Sequence, residues 1–305
     1  MSTTIGIPRG EQRPALDAVP TDRRTEHVVL ATDGGLAGLS AMRWIADRAR
    51  AHTLDVTVLD VVDVPDLPGW QSGQRYWAAD RAVRQVTDYL AWAAASVECT
   101  GEVVAGDPRD RIAGASADAD LLVLGTNRVG ASHHLVASFS TRVAEAAGCP
   151  TVVVPRGWER SAGPVIVGIE ADGSDDDAIE FAAHEAEVLH RELVVVHAWR
   201  LTGMVTSAFG AELDSRAVEA AASGRLSSVA NRVRDQHPAL RVAPLLAHDE
   251  PIDAMVHAGE GASLVVVGSH GLSIIDRAIF ASVSRGVLER PTCPVAIVRN
   301  RTPEH

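Results

Sequence analysis

Two glycine-bearing loops hold the residues of this chain whose types and spacing best suit chemistry. The later one reads Gly268-Ser269-His270-Gly271, then nine residues, then Ala281-Ser282. The earlier one reads Gly125-Thr126-Asn127-Arg128, then eight residues, then Ala137-Ser138. Each follows a short apolar run and precedes a run with helical spacing. Small residues just past a buried strand let a ligand reach backbone N–H groups. A helix N-terminus beside them favours an anion. The expected chemistry is therefore the holding of a phosphate. A glycine after a strand is by itself usually only a turn. Here the repeated frame and the spacing from Gly268 to Ser282 give it more weight.

Other reactive residue types read more plainly. Asp175-Asp176-Asp177 suits a solvated first turn of a helix, where acids complement the dipole, better than a metal site. His133-His134 are adjacent on a loop, and neighbours of that kind rarely converge on one metal. His184 and His257 fall on helix surfaces. Cys149 and Cys293 each precede a proline that leads into a strand, and this shared position argues for packing. With Cys99 they are too few and too scattered for a disulfide or zinc framework. Trp70, Tyr76 and Trp77 suit a local lid or interdomain packing. No G-x-S-x-G, HExxH or kinase pattern occurs.

Composition narrows the classes further. The chain has 305 residues, 46% of them hydrophobic, which is enough for two globular domains. A net charge of −12 argues against nucleic acid or an anionic membrane as partner. All 28 basic residues are arginine, so neither a Walker-type phosphate lysine nor a lysine Schiff base is available. No apolar run is long enough to span a bilayer. The first 26 residues are polar, with Pro8, Pro14 and Pro20, and lack the apolar core of a signal peptide. A cytoplasmic protein with a flexible N-terminal tail is the expectation.

The elements that position the loops come twice. Val28 to Asp33 matches Val165 to Glu170, and Ala41-Met42 matches Ala178-Ile179. Pro108-Arg109-Asp110 matches Pro251-Ile252-Asp253. Leu121 to Gly125 matches Leu264 to Gly268, and Ser140 to Pro150 matches Ser284 to Pro294. The expected organisation is a tail at 1–26, a domain at 27–155, a linker at 156–163, a second domain at 164–299 and a short tail at 300–305. Within each domain apolar strands alternate with helices, including long ones from about Trp77 to Ala95 and Ala211 to Asp235. Pro65 to Gly73 reads as a loop. Buried apolar strands with crossover helices give an α/β fold, two tandem doubly wound, five-stranded, mostly parallel open sheets. Ligands of such sheets sit past the carboxyl ends of the strands, here the Asp33, Gly125, Glu170 and Gly268 ends. The last strand of each half, Thr151 to Val154 and Val295 to Val298, is apolar and close to its domain's end. The two are expected to pair across a pseudo-twofold axis, because an open edge of this kind needs a partner. A further homodimer stays open.

These residues resemble the universal stress protein family in its tandem two-domain form, over about Val28 to Val298. The resemblance implies a Rossmann-like fold of the adenine nucleotide alpha hydrolase type. It also implies ATP binding, with or without Mg2+, through G-2x-G-9x-G-(S/T) after the fourth strand and an aspartate ending the first. Carried onto this chain, it makes Gly268, Gly271, Ala281, Ser282, Val283 and Ser284 the phosphate and ribose cradle of the C-terminal half. Ala198 would lie near the adenine and Glu170 would replace the aspartate. In the N-terminal half the corresponding positions are Asp33, Val61, Gly125 and Ser138. There the loop is one residue short, Arg128 stands at the second glycine and Phe139 follows the serine. The C-terminal half, with alanine for only one glycine, is the expected main nucleotide site.

The leading function is thus an ATP-binding regulatory protein of a stress or dormancy response, acting on an unidentified protein partner. Hydrolysis should be slow at most, because no general base or arginine finger is placed. A nucleotide-independent interaction module is the alternative, since each half departs from the pattern. An adenine-nucleotide enzyme is the least supported.

Overall fold

The computed structural model describes residues 24–63, 69–128, 139–170, 175–199, 215–269 and 283–299. The chain divides into two compact units, Met1–Arg160 and Ser161–His305.

In the first unit the strands are β1 (Glu26–Ala31), β2 (Leu54–Val62), β3 (Val97–Ala105), β4 (Leu121–Thr126) and β5 (Thr151–Pro155). Their order across the sheet is β3-β2-β1-β4-β5, all parallel. The apolar runs are explained by burial on both faces: Val28, Leu30, Leu121, Leu122 and Val123 are fully buried. Helices α1 (Leu36–Arg48) and α2 (Gly69–Ala93) touch each other and pack on one face, α1 over β4 and β5, α2 over β2 and β3. On the other face α3 (Pro108–Ala115) packs against β2, and α4 (Phe139–Ala146) against α3 and β4. The chain runs from β1 to β2 on one side and has β4 on the other. The strand order therefore reverses between β1 and β4, where a crevice opens at their carboxyl ends.

Helix α2 begins at Gly69, so the last five residues of the expected loop over Pro65 to Gly73 are helical. A Cβ at Gly73 would meet nothing within 4 Å, so this glycine costs the helix only its roughly 1 kcal/mol of intrinsic propensity. Burial of Val83, Val86 and Leu90 along one face outweighs that cost. Edge strand β3 carries Gly101 for a packing reason: a Cβ there would lie 2.4 Å from Val83 of α2. The expected cluster on α2 is open at Trp77, which is 65% exposed with the Arg81 guanidinium 5.6 Å from its ring centroid.

The second unit repeats the plan with β6 (Val165–Gly168), β7 (Leu193–Ala198), β8 (Val242–Ala247), β9 (Leu264–Gly268) and β10 (Val295–Val298). Here β6 lies between β7 and β9, with β8 beyond β7 and β10 beyond β9, again all parallel. Helix α5 (Asp176–Leu189) packs on β6 and β9, α6 (Ser215–Gln236) on β8, and α7 (Pro251–Ala258) on β7. A further helix, α8, covers 283–289. Pro244 sits within β8, which pairs with β7 alone in this unit, so its missing N–H costs no ladder bond on a second side.

A cleft at the strand ends of the first unit

The carboxyl ends of β1, β2 and β4 in the first unit border a cavity of about 470 Å3. That lies within the range of small-molecule sites, roughly 300–1,000 Å3. Asp33, Val61 and Gly125 all line it, so three residues singled out from sequence meet in one place. Ser138, the fourth, lies outside the described residues. Asp33 follows β1 and turns the chain into α1. Its Oδ1 accepts the Gly35 N–H at 2.8 Å, while Thr32 Oγ1 accepts the Gly34 N–H at 3.1 Å. Gly34 has φ +70°, a conformation that glycine adopts without steric penalty. The turn thus fixes the Asp33 carboxylate at the mouth of the crevice.

At the β4 end, a Cβ on Gly125 would fall 2.2 Å from the Ala37 carbonyl carbon, so only glycine lets the strand end pass this close to α1. Arg128 follows on the lining, its N–H donating to Thr126 Oγ1 at 3.2 Å. Phe139 and Ser140, at the start of α4, close this side. The Ser140 hydroxyl donates a long hydrogen bond, 3.5 Å, to the Gly125 carbonyl. At the β2 end the walls are Leu59, Pro108 and Ile112; Asp60 is also on the lining, its side chain alternating to the other face of β2, that of α1 and α2. Asp60 is 8% exposed. Burial pushes its carboxyl up to about 6, the Asp33 charge adds to this, and the Val61 N–H opposes it. Among the described residues the cleft therefore has a cationic end beside a helix start and an apolar end. Asp60 escapes motif reasoning. The available signal is the repeat register, which sets Asp60 of β2 against His197 of β7.

The second unit places its counterparts differently. Glu170, Ala198 and Val283 converge on a cavity of only about 30 Å3, also lined by Gly168, Met255 and Val267. A Cβ at Gly168 would lie 2.7 Å from Met255 Sδ, so the thioether fills the space over the end of β6. Ala31 and Ile112 hold the equivalent positions in the first unit, with a shorter branched side chain in place of methionine. Gly268 ends β9 and Ser284 is buried in α8. Gly271, Ala281 and Ser282 lie outside the described residues. The acidic run before α5 is not uniformly solvated: Asp175 is 2% exposed, and its Oδ2 accepts the Glu170 N–H at 2.8 Å. Asp176, by contrast, is exposed and pairs with Arg232. His197 is buried, its Nδ1 2.9 Å from the Ile169 carbonyl. Among the described residues, no group of three or more His, Cys, Asp or Glu is placed to hold a metal ion. No helix among them is long and apolar enough to cross a membrane.

The two units also match one family model twice. The model for the universal stress protein family covers residues 24–155 and again 162–299. The chain belongs to the universal stress protein family. It has the tandem form, with two copies of the domain in one chain. A universal stress protein of Mycobacterium tuberculosis is 28% identical over 293 residues, covering 91% of this chain and 98% of that one. Another, from Mycolicibacterium smegmatis, is 27% identical over 300 residues, covering 90% and 97%. Among solved structures, a universal stress protein from Archaeoglobus fulgidus superposes with a TM-score of 0.68 at 18% identity, covering 92% of this chain and 98% of that one. At that identity the likeness concerns the fold. The α/β, Rossmann-like architecture expected from the sequence is thus found in the relatives and in the chain itself.

Proposed function

We propose that this tandem universal stress protein is a nucleotide-binding regulatory protein, and that its first unit holds the nucleotide. The observation that carries this reading is the cavity of about 470 Å3 at the strand ends, bordered by Asp33, Gly125 and Arg128. Its cationic end suits a phosphate chain: Arg128 offers a guanidinium, and α4 begins beside it. Its apolar end suits a base. Asp33, held at the crevice mouth, is set to accept from a ribose hydroxyl. ATP is the ligand to which the motif resemblance points, and Mg2+ would ride on the phosphates. We take its place of action to be the cytoplasm and its output to be contact with a regulatory protein partner.

The second unit carries the fuller glycine motif, and this supports a second reading in which the nucleotide binds there. The space of about 30 Å3 against Met255 matches the share of one water molecule in the liquid, so this site would have to open first.

Equilibrium dialysis with ATP–Mg separates the readings. The wild-type chain is expected to bind one ATP in the micromolar range. Asp33→Ala should weaken binding about tenfold or more, the cost of a charge-assisted hydrogen bond, while Glu170→Ala leaves it unchanged. Loss with Glu170→Ala alone moves the nucleotide to the second unit. No binding by wild type removes the nucleotide reading and leaves an interaction module.

A further inference from the structure

We propose that Met255 is a gate over a second nucleotide site, lying across the place of the base in the second unit and turning aside to admit it. This rests on the reading of the first-unit cleft as a nucleotide site. There the apolar end, the place for a flat ring, is formed by Ala31, Leu59, Pro108 and Ile112. The repeat sets Gly168, Val196, Pro251 and Met255 in the same positions. Ala31 ends β1 and is in register with Leu59 of β2; Gly168 ends β6 and is in register with Val196 of β7. Pro108 and Pro251 each open a helix, α3 and α7, and Ile112 and Met255 follow one turn later. The first set borders a cavity of about 470 Å3 and the second one of about 30 Å3.

The two sets differ at one contact. A Cβ at Gly168 would lie 2.7 Å from Met255 Sδ and 3.0 Å from its Cε, and the three nearest atoms to such a Cβ all belong to the Met255 side chain. Gly168 has no positive φ, so the backbone does not call for glycine there. A glycine within a strand weakens it, and what this one provides is room for the thioether. The obstruction is a side chain that can leave. Met255 is buried, but it is unbranched, turns about three bonds and repacks readily. Ile112, branched at Cβ, is held to one preferred rotamer in its helix. The remainder of the lining stays in place around the methionine: Glu170 lies two residues beyond Gly168 on the same face of the sheet, and Ala198 two beyond Val196. A ligand that binds only the open rotamer draws the chain towards it, and its apparent affinity falls by the fraction of time the gate stands open. The second site therefore fills after the first, at higher nucleotide concentration.

The test is the number of ATP molecules held per full chain in equilibrium dialysis with ATP–Mg. At micromolar ATP the wild type should hold one, and a second only at a concentration about tenfold higher or more. Gly168→Ala combined with Met255→Ile rebuilds the first unit's pair and should hold two at micromolar ATP, the second being lost when Glu170→Ala is added. A double variant that melts as a folded protein and still holds one overturns the gate while the first-unit site stands. A wild type that holds two at micromolar ATP also overturns it. A double variant that gains a site where the wild type has none supports the gate and removes the first-unit site. Binding by neither protein overturns the nucleotide reading, and the proposal with it. A second measurement uses the wild-type chain with isotope-labelled methionine methyls, of which there are four. The Met255 methyl resonance, assigned with Met255→Leu, should stay in place while the first ATP binds and shift as the second does. A resonance that stays unmoved up to millimolar ATP overturns the gate.

Discussion

Asp33 stands two residues past the end of β1, Asp60 two residues before the end of its parallel neighbour β2; both line the same cleft, and the charge of the first helps keep the second protonated up to about 6. β1 and β2 run in register through Ala31↔Leu59, so both carboxyls fall just beyond the last paired residues of the ladder. Two acids so placed resist being charged together. In a nucleotide site this leaves the Asp33 carboxylate for the sugar.

The same arrangement makes folding depend on pH. The Asp60 carboxyl has a folded value of about 6 against 3.8 for the unconstrained group. Between these values the folded state binds more protons than the unfolded one, so stability falls as pH rises. The unpenalised state is fully present below about 3.8 and is lost as pH rises through about 6. Asp60→Asn removes the penalty. It should raise the melting temperature at pH 7.5 by a few degrees, about 1–2 kcal/mol after allowing for water in the cleft. At pH 5 the gain should fall to roughly half of that, and it should vanish only below about pH 4. Differential scanning fluorimetry of both proteins across pH 5 to 8 checks this, and an equal gain at every pH would contradict it.

Glu26 opens β1 and is tied to the end of α1. Arg48 Nε and Nη2 donate to its two carboxylate oxygens at 2.8 and 2.9 Å, with side-chain exposures of 5% for Arg48 and 15% for Glu26. His52 Nδ1 stands 3.7 Å from the same carboxylate. Removing one member of a buried pair leaves the other's charge uncompensated, at about 3–5 kcal/mol. Glu26→Gln should therefore lower the unfolding free energy, read from urea denaturation, by an amount of that order. Arg24→Ala, which loses the exposed contact with Asp120, should change it by less than about 1 kcal/mol.

The three cysteines should be silent towards thiol reagents in the folded chain. Burial pushes the thiols of Cys99, Cys149 and Cys293 up to about 12. At pH 8 the thiolate fraction is then of order one in ten thousand. Titration with a chromogenic disulfide should show no fast-reacting thiol without denaturant and three with it. A fast-reacting thiol in the native protein would reopen a redox role for that residue.

The duplication was visible in the sequence because each strand keeps its apolar run and each turn its glycine. Which half holds the wider cavity among the described residues was not visible. It depends on Met255 against Ile112 and on Gly168 against Ala31, exchanges that look like ordinary packing until the thioether is seen lying over the strand end. Asp60 was missed for a related reason. A lone acid in a strand gives no spacing signal, and its raised carboxyl comes from burial and from the nearby Asp33 charge.

Gly125 and Gly268 occupy equivalent positions at the ends of β4 and β9, yet the surrounding packing gives them unlike tasks. A Cβ at Gly125 would meet the Ala37 carbonyl group at 2.2 Å and Gly38 N at 2.8 Å, all backbone of α1 that cannot move without shifting the helix. Among the described residues, a Cβ at Gly268 would find nothing closer than Asp175 Oδ1 at 3.9 Å, an ordinary contact. Gly125→Ala should therefore cost about 1–3 kcal/mol, in the manner of an overpacked core, and should displace α1 from the cleft that Asp33 and Gly125 border. Gly268→Ala should stay within about 0.5 kcal/mol of wild type in stability. Urea denaturation of the two single variants checks the stabilities, and ATP dialysis on each checks the consequence for binding. If Gly268→Ala abolished binding while the fold stayed intact, the motif glycine of the second unit would be making room for a ligand there. Loss of binding with Gly125→Ala alone would instead keep the nucleotide in the first unit, where the glycine brings the strand end against the helix.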